Sequence, residues 1–191
     1  MKVGVLSLQG AFREHREVLD ALGVEAVEVR TPSGLGALDA LIMPGGESTT
    51  MSKLLDSSEL REPLGALLAD GLPVLGTCAG LILLAREVLD GRPDQQSFGA
   101  IDVSVRRNGY GRQRDSFEAE LEVRGIAGPS FPGVFIRAPV VERIGADVDV
   151  LAEYADEPVL VRGGTMWGST FHPELSGDLR VHQQFLQEIA S

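Results

Sequence analysis

Leu72-Pro73-Val74-Leu75-Gly76-Thr77-Cys78-Ala79-Gly80-Leu81-Ile82-Leu83-Leu84-Ala85-Arg86 decides how this chain is read. Leu72 to Leu75 is a short apolar run of the length and content of a buried strand. Leu81 to Arg86 reads as the helix that follows it. Between them lies Cys78, the only cysteine in the 191 residues, in Gly76-Thr77-Cys78-Ala79-Gly80. A reactive residue between glycines at a strand-to-helix corner is the pattern of a nucleophile elbow. Glycine serves there because the turn is sharp and the adjoining backbone must come close without a Cβ in the way. The positive end of the following helix favours an anionic sulfur. The competing reading is a buried structural cysteine, a common fate for a lone thiol.

Outward from the elbow, toward the N-terminus, short apolar segments alternate with amphipathic ones. Lys2 to Leu8, Val24 to Val29, Ala40 to Met43 and Val74 to Gly76 are expected as strands. Phe12 to Leu22, a stretch running from Glu47 through Leu55, and Glu59 to Asp70 are expected as helices, two of them closed by Gly23 and Gly71. Fully apolar strands alternating with helices predict a mostly parallel central sheet covered by helices on both faces, an α/β fold. After about Asp90 the pattern changes. Ile101 to Val105, Phe117 to Val123, Val134 to Arg137, Val148 to Tyr154, Val159 to Arg162 and Met166 to Phe171 read as further strands, and an added antiparallel region is expected in this second half. Arg106 to Arg114 is a basic, glycine-containing loop, and Asp178 to Ala190 a closing helix with Ser176 or Asp178 as its cap. No linker or repeat divides residues 1–191, so one domain is expected.

Composition bounds the function. A net charge of −11 opposes binding to nucleic acid or to an anionic membrane surface. A single cysteine leaves no internal disulfide and suits a reducing compartment, so a cytoplasmic protein is expected. Lys2 to Leu8 is too short an apolar segment for a signal peptide, and Leu72 to Ala85 is too short and too broken to span a bilayer. There is no cluster of metal ligands and no phosphate-cradling loop ending in Lys-Ser or Lys-Thr, so neither a metal nor a cofactor is expected.

A cysteine nucleophile needs a base, and the base needs a group to hold it. Of the three histidines, His15 lies in Arg13-Glu14-His15-Arg16-Glu17 and His182 among glutamines; both read as solvated surface residues. His172 follows a strand and precedes Pro173-Glu174. Proline keeps the backbone before it extended, and side chains two apart on extended backbone point the same way, so Glu174 can reach the His172 ring. Pro44-Gly45-Gly46-Glu47-Ser48 ends another parallel strand, where ligands bind in such sheets. Its backbone N–H groups, with that of Ala79, are candidates for an oxyanion site.

The elbow, the Gly-Gly loop and the distant His-x-Glu, in this chain order, resemble the class I (triad) glutamine amidotransferases. The resemblance is closest to the glutaminase subunits of pyridoxal 5′-phosphate synthase. It rests on Leu8-Gln9-Gly10-Ala11-Phe12-Arg13-Glu14-His15, Pro44-Gly45-Gly46-Glu47-Ser48-Thr49-Thr50-Met51, Gly76-Thr77-Cys78-Ala79-Gly80-Leu81, Arg107-Asn108 with Gly111-Arg112-Gln113, Ser116-Phe117-Glu118, Val134-Phe135-Ile136-Arg137-Ala138-Pro139 and Phe171-His172-Pro173-Glu174-Leu175. Nothing is carried over for Glu87 to Ala100. The resemblance implies a flavodoxin-like fold and hydrolysis of L-glutamine to glutamate and ammonia. In it Cys78 is the nucleophile, His172 its base and Glu174 the orienting carboxylate. Gly46 and Ala79 hold the oxyanion, and Gly46, Glu47, Ser48, Arg107, Ile136 and Arg137 bind L-glutamine. It further implies that ammonia passes to a separate synthase subunit, and that Gln9 and Gly10 lie at the activating interface with it. Two rivals remain at this level. One is an amidotransferase subunit serving another synthase. The other is a redox-sensing or peptidase-like member of the same elbow group, which places its histidine soon after the cysteine.

Overall fold

The computed structural model describes residues 1–107, 109 and 116–190. Of the segments singled out above, Asn108 and Gly111-Arg112-Gln113, with most of the basic loop, lie outside the described residues. The strands are β1 (Lys2–Leu6), β2 (Glu25–Val29), β3 (Ala40–Met43), β4 (Val74–Thr77), β5 (Ala85–Val88), β6 (Ile101–Arg106), β7 (Ser116–Leu121), β8 (Phe131–Ile136), β9 (Val140–Ile144), β10 (Val148–Tyr154), β11 (Glu157–Gly163) and β12 (Met166–Ser169). The helices are α1 (Phe12–Ala21), α2 (Ser48–Ser57), α3 (Arg61–Ala69), α4 (Ala79–Leu84) and α5 (Arg180–Ile189).

The main sheet runs β10-β11-β12-β4-β3-β1-β2. Its pairs from β12 through β4, β3 and β1 to β2 are all parallel, while β10 and β11 add antiparallel strands at one edge. With β12 counted as fifth, the parallel strands follow the order 2-1-3-4-5 of flavodoxin-like sheets. Alternation along each strand explains the two layers. Val3 and Val5 of β1, Ile42 of β3 and Leu75 of β4 pack with Leu19 of α1 and Val181 and Phe185 of α5 on one face. Leu6, Leu41, Met43 and Val74 pack on the other face with α2, α3 and α4. Both faces are covered, which is why β3 is apolar at every position and β1 and β4 carry a polar side chain only at one end. Among the described residues no helix is long and apolar enough to cross a membrane.

Several sequence expectations need correction. The helix after Cys78 ends at Leu84, and Ala85 and Arg86 begin β5, which pairs parallel with β6. Leu81 to Leu84 fill the core under the main sheet, and the chain leaves that core at Ala85 to found a second sheet, β5-β6-β9. Strand β9 was not anticipated: Val140-Val141-Glu142-Arg143-Ile144 carries only two charged residues among apolar ones and gains its identity from antiparallel pairing with β6. Strand β1 ends at Leu6, so Ser7 and Leu8 belong to the loop that leads to Gln9. Neither Ser176 nor Asp178 is the N-cap residue of α5, which is Leu179, although Asp178 Oδ1 accepts a hydrogen bond from the Arg180 N–H at 3.0 Å.

Candidate active site

The carboxyl ends of β1, β3, β4 and β12, side by side in the sheet, deliver four loops to one edge. They carry Gln9-Gly10, Gly45-Gly46-Glu47, Cys78 and His172. Cys78 has φ +50° and ψ −101°, a strained conformation for a non-glycine residue and the backbone signature of an elbow. Its N–H donates to the Ser169 carbonyl at 2.8 Å, tying the elbow to the end of β12. Gly80 is required by close approach, since a Cβ there would strike the Met43 carbonyl and stand 3.1 Å from the Met43 side chain. A Cβ on Gly45 would run into the His172 ring and lie 3.4 Å from the Cys78 Cβ, so the glycine loop packs directly on Cys78 and His172.

His172 follows β12, and its N–H donates to the Val134 carbonyl of β8 at 2.8 Å. A 3₁₀ turn at Pro173–Leu175 then folds Glu174 back beneath it. His172 Nδ1 stands 2.7 Å from Glu174 Oε1, with the Glu174 side chain fully buried. Burial works against a charged imidazole, but hydrogen bonds to Cys78 and Glu174 outweigh it and push the His172 pKa up to about 10. Burial works against the Glu174 carboxylate as well, yet the neighbouring His15 ring and the bond to His172 hold its pKa below the ordinary value. Cys78, His172 and Glu174 therefore form a line, with sulfur and imidazole at the cleft and the carboxylate inside.

A cleft opens over Cys78 and His172, lined also by Gln9, Gly46, Glu47, Ser48, Ile82, Arg107, Ile136 and Arg137. Every residue expected to bind substrate is thus brought to one place, from three separate parts of the chain. Glu47 is the N-cap of α2: its carboxylate accepts from the N–H groups of Thr49 at 3.1 Å and Thr50 at 2.7 Å. Partial burial opposes its charge, but these bonds and the Thr50 hydroxyl bring its pKa down to about 2. Arg107, at the end of β6, donates to Gln95 Oε1 at 2.9 Å and Thr49 Oγ1 at 3.1 Å, and Gln95 donates to Ser48 Oγ at 3.1 Å. Arg137 follows β8 in a left-handed conformation, φ +43°. Gln9 Oε1 accepts from the Glu47 N–H at 2.9 Å, and the Ala11 N–H donates to the Gly45 carbonyl at 3.0 Å, so the Gln9-Gly10 loop braces the glycine loop. Ala79, just past Cys78, opens α4 and is buried beside the sulfur.

Gln95 was missed by sequence reasoning, because nothing in Gly91 to Ser97 distinguishes one polar loop residue from the next. His15 and His182 are corrections: both are fully buried rather than solvated. His15 Nδ1 lies 2.9 Å from His182 Nε2, and His15 Nε2 lies 3.1 Å from Thr77 Oγ1 and 3.4 Å from Glu174 Oε2. The signal was in the spacing. His15 shares the i, i+3, i+4 face of Phe12, Leu19 and Leu22, and His182 that of Phe185, Leu186 and Ile189. The charged neighbours in sequence point elsewhere on each helix.

Known proteins bear on this geometry. Residues 5–191 match the family model described as the SNO glutamine amidotransferase family. The chain is 54% identical over 190 residues to a protein of Frankia casuarinae named pyridoxal 5′-phosphate synthase subunit PdxT, covering 100% of this chain and 96% of that one. A protein of the same name from Mycobacteroides abscessus is 56% identical over 187 residues, covering 98% and 96%. A crystal structure described as a glutamine amidotransferase superposes with a TM-score of 0.94 at 50% identity, covering 100% of each chain. A putative GMP synthase subunit from Thermoplasma acidophilum, at 18% identity and a TM-score of 0.71, shares the fold. With its family match nearly end to end, and with an elbow cysteine, an imidazole and a carboxylate aligned under one cleft, this chain belongs to the SNO glutamine amidotransferase family.

Proposed function

We propose that this chain is the glutaminase subunit of a pyridoxal 5′-phosphate synthase, with Cys78, His172 and Glu174 as its catalytic triad. The observation that carries the reading is the buried His172–Glu174 pair, 2.7 Å apart, set behind Cys78 at the floor of the cleft. Cys78 passes its thiol proton to His172, and Sγ attacks the side-chain amide carbon of L-glutamine. The carbonyl electrons move onto oxygen, held by backbone N–H groups at Gly46 and Ala79. His172 gives its proton to the amide nitrogen, the C–N bond breaks, and ammonia leaves with a glutamyl thioester on Cys78. Water, deprotonated by His172, then attacks the thioester and releases glutamate and the Cys78 sulfur. An imidazole with a pKa near 10 is held in its charged form, ready to donate to the leaving nitrogen.

The substrate's α-ammonium and α-carboxylate need opposite charges at the cleft. Glu47 and the arginines Arg107 and Arg137 supply them, with Ser48 and the Ile136 side chain completing the cradle. Ammonia passes to a separate synthase subunit that makes pyridoxal 5′-phosphate from ribose 5-phosphate and glyceraldehyde 3-phosphate, a step of vitamin B6 biosynthesis. Gln9 and Gly10, which brace the glycine loop, are the segment through which that partner acts on the site. The chain works as one domain, since residues from both of its ends meet at the cleft. A reducing cytoplasm suits its free thiol.

The test is mass spectrometry after treatment with a glutamine-mimicking electrophile in the presence of the synthase subunit. Labelling of Cys78 that excess glutamine blocks is the expected result. Absence of labelling, or a label elsewhere, overturns the triad. Glutamine hydrolysis that is equally fast with and without the synthase subunit overturns the partner assignment.

A further inference from the structure

We propose that His15 and His182 are positioning residues for the triad: His182 orients His15, and His15 holds the outer oxygen of Glu174. This rests on the triad reading above and extends it inward by two imidazoles. His15 comes from α1, His182 from α5, Thr77 from the end of β4, and Glu174 from the 3₁₀ turn after β12. Four elements thus converge behind the nucleophile, and all four residues are buried.

The helical faces involved are otherwise apolar. Leu19 of α1 and Val181, Phe185 and Leu186 of α5 pack in the same core. A leucine would fill either histidine's place with no polar atom to satisfy, so packing alone does not call for two imidazoles there. The hydrogen-bond pattern supplies the reason. Glu174 Oε1 pairs with His172 Nδ1, and the buried Oε2 has no hydrogen-bond partner among the described residues; His15 Nε2 stands 3.4 Å away. Contacts at a catalytic site are often long before substrate binds and tighten in the reacting complex.

Proton placement follows from the chain of contacts. A carboxylate only accepts, so the proton of a neutral His15 belongs on Nε2, shared between Glu174 Oε2 and Thr77 Oγ1 at 3.1 Å. His15 Nδ1 is then an acceptor, and His182 Nε2, 2.9 Å away, must donate to it. This leaves His182 Nδ1 as a bare lone pair, and His182 Nδ1 is the ring nitrogen that has no partner among the described residues. The opposite tautomers would bury an N–H there with nothing to accept it, a rarer and costlier arrangement. Burial keeps both rings neutral: it lowers the pKa of His15, which also faces Glu174, His172 and Glu14, and it brings that of His182 down to about 3. A neutral donor fixes the carboxylate while leaving its negative charge for His172. An arginine or lysine at position 15 would compete for that charge.

The experiment uses the complex with the synthase subunit and measures kcat and KM for glutamine. His15→Leu is expected to lower kcat roughly tenfold or more, the scale found for groups that orient a reactive side chain from behind. KM stays near the wild-type value, because His15 does not line the cleft. His15→Gln restores part of kcat, since its amide N–H can stand where Nε2–H stood. Nitrogen-15 spectra of the wild-type rings are expected to show both histidines neutral and protonated on Nε2 at pH 7. Wild-type kcat in folded His15→Leu, or equal losses in His15→Leu and His15→Gln, overturns the proposal. So does an Nδ1-protonated or charged His15, a readout that survives if a variant does not fold. Cys78→Ala separates the two levels: hydrolysis that persists in it overturns the triad itself, whereas loss in Cys78→Ala with no effect of His15→Leu overturns only the outer pair.

Discussion

Glu174 Oε1 lies 2.7 Å from His172 Nδ1, and the carboxylate that makes this bond has no solvent-exposed side-chain surface. A buried charge is tolerated only when it is paired, so each partner depends on the other: the carboxylate keeps the ring charged, and the ring keeps the carboxylate ionised.

Glu174→Gln removes that charge while keeping the shape. An amide can present an N–H to His172 Nδ1 and select the wrong ring tautomer. We expect kcat for glutamine to fall by about 10²- to 10⁴-fold, by analogy with the loss of an orienting carboxylate in other triads. KM should change little, and steady-state kinetics in the synthase complex checks both.

The buried histidines make the fold sensitive to acid. Unfolded, a histidine takes up its proton near pH 6.5; folded, His182 is held down to about 3 and His15 is lowered as well. Below pH 6.5 the unfolded chain therefore binds more protons, so stability rises with pH through this window and is lost as pH falls. His172 is charged in both states there and adds no slope; its own contribution is present below 6.5 and lost as pH rises toward about 10. Denaturant midpoints between pH 6 and pH 5 should fall with a slope approaching roughly two protons, and by about one proton less in His182→Gln. A flat profile in the wild type would contradict two buried neutral imidazoles.

Gly45→Ala and Gly80→Ala should separate activity from folding. The new Cβ at position 45 meets the His172 ring, a side chain that can turn aside, so we expect a folded protein with kcat reduced about 10²-fold or more. The new Cβ at position 80 meets the Met43 carbonyl, which is backbone of a central strand. There we expect a stability loss of roughly 1–3 kcal/mol or more. Thermal unfolding read beside kcat distinguishes the two.

Gln95→Leu removes one acceptor of Arg107 and the donor to Ser48, two residues that line the cleft. Substrate binding should weaken with the chemical step little altered, so KM rises several-fold while kcat stays within about twofold. A drop in kcat at constant KM would place Gln95 in the chemistry instead.

Much of the site was readable before any coordinates. Cys78 stands out as the only cysteine, its flanking glycines announce the corner, and His172-Pro173-Glu174 sets a carboxylate two residues from an imidazole, although a 3₁₀ turn rather than the expected extended backbone brings the two together. The residues that the resemblance implies for substrate, Glu47, Ser48, Arg107, Ile136 and Arg137, line one cleft. Strand β9 and the turn of the chain into β5 were not readable, since short mixed segments acquire their strand identity from the neighbour they pair with. His15 and His182 misled because charged residues surround the first and two glutamines follow the second, although their helical spacing placed them on apolar faces.

The amino-acid sequence by itself determined the parallel α/β frame and the chemistry available at its edge. Apolar alternation, turn glycines and residue types act locally and are visible in a single chain. Tertiary structure alone decided which groups touch. The 2.9 Å contact between His15 and His182 joins residues 167 positions apart, and only the packing of α1 and α5 against the same sheet face brings it about. Contacts at that separation depend on sheet order and helix docking, which no local pattern encodes.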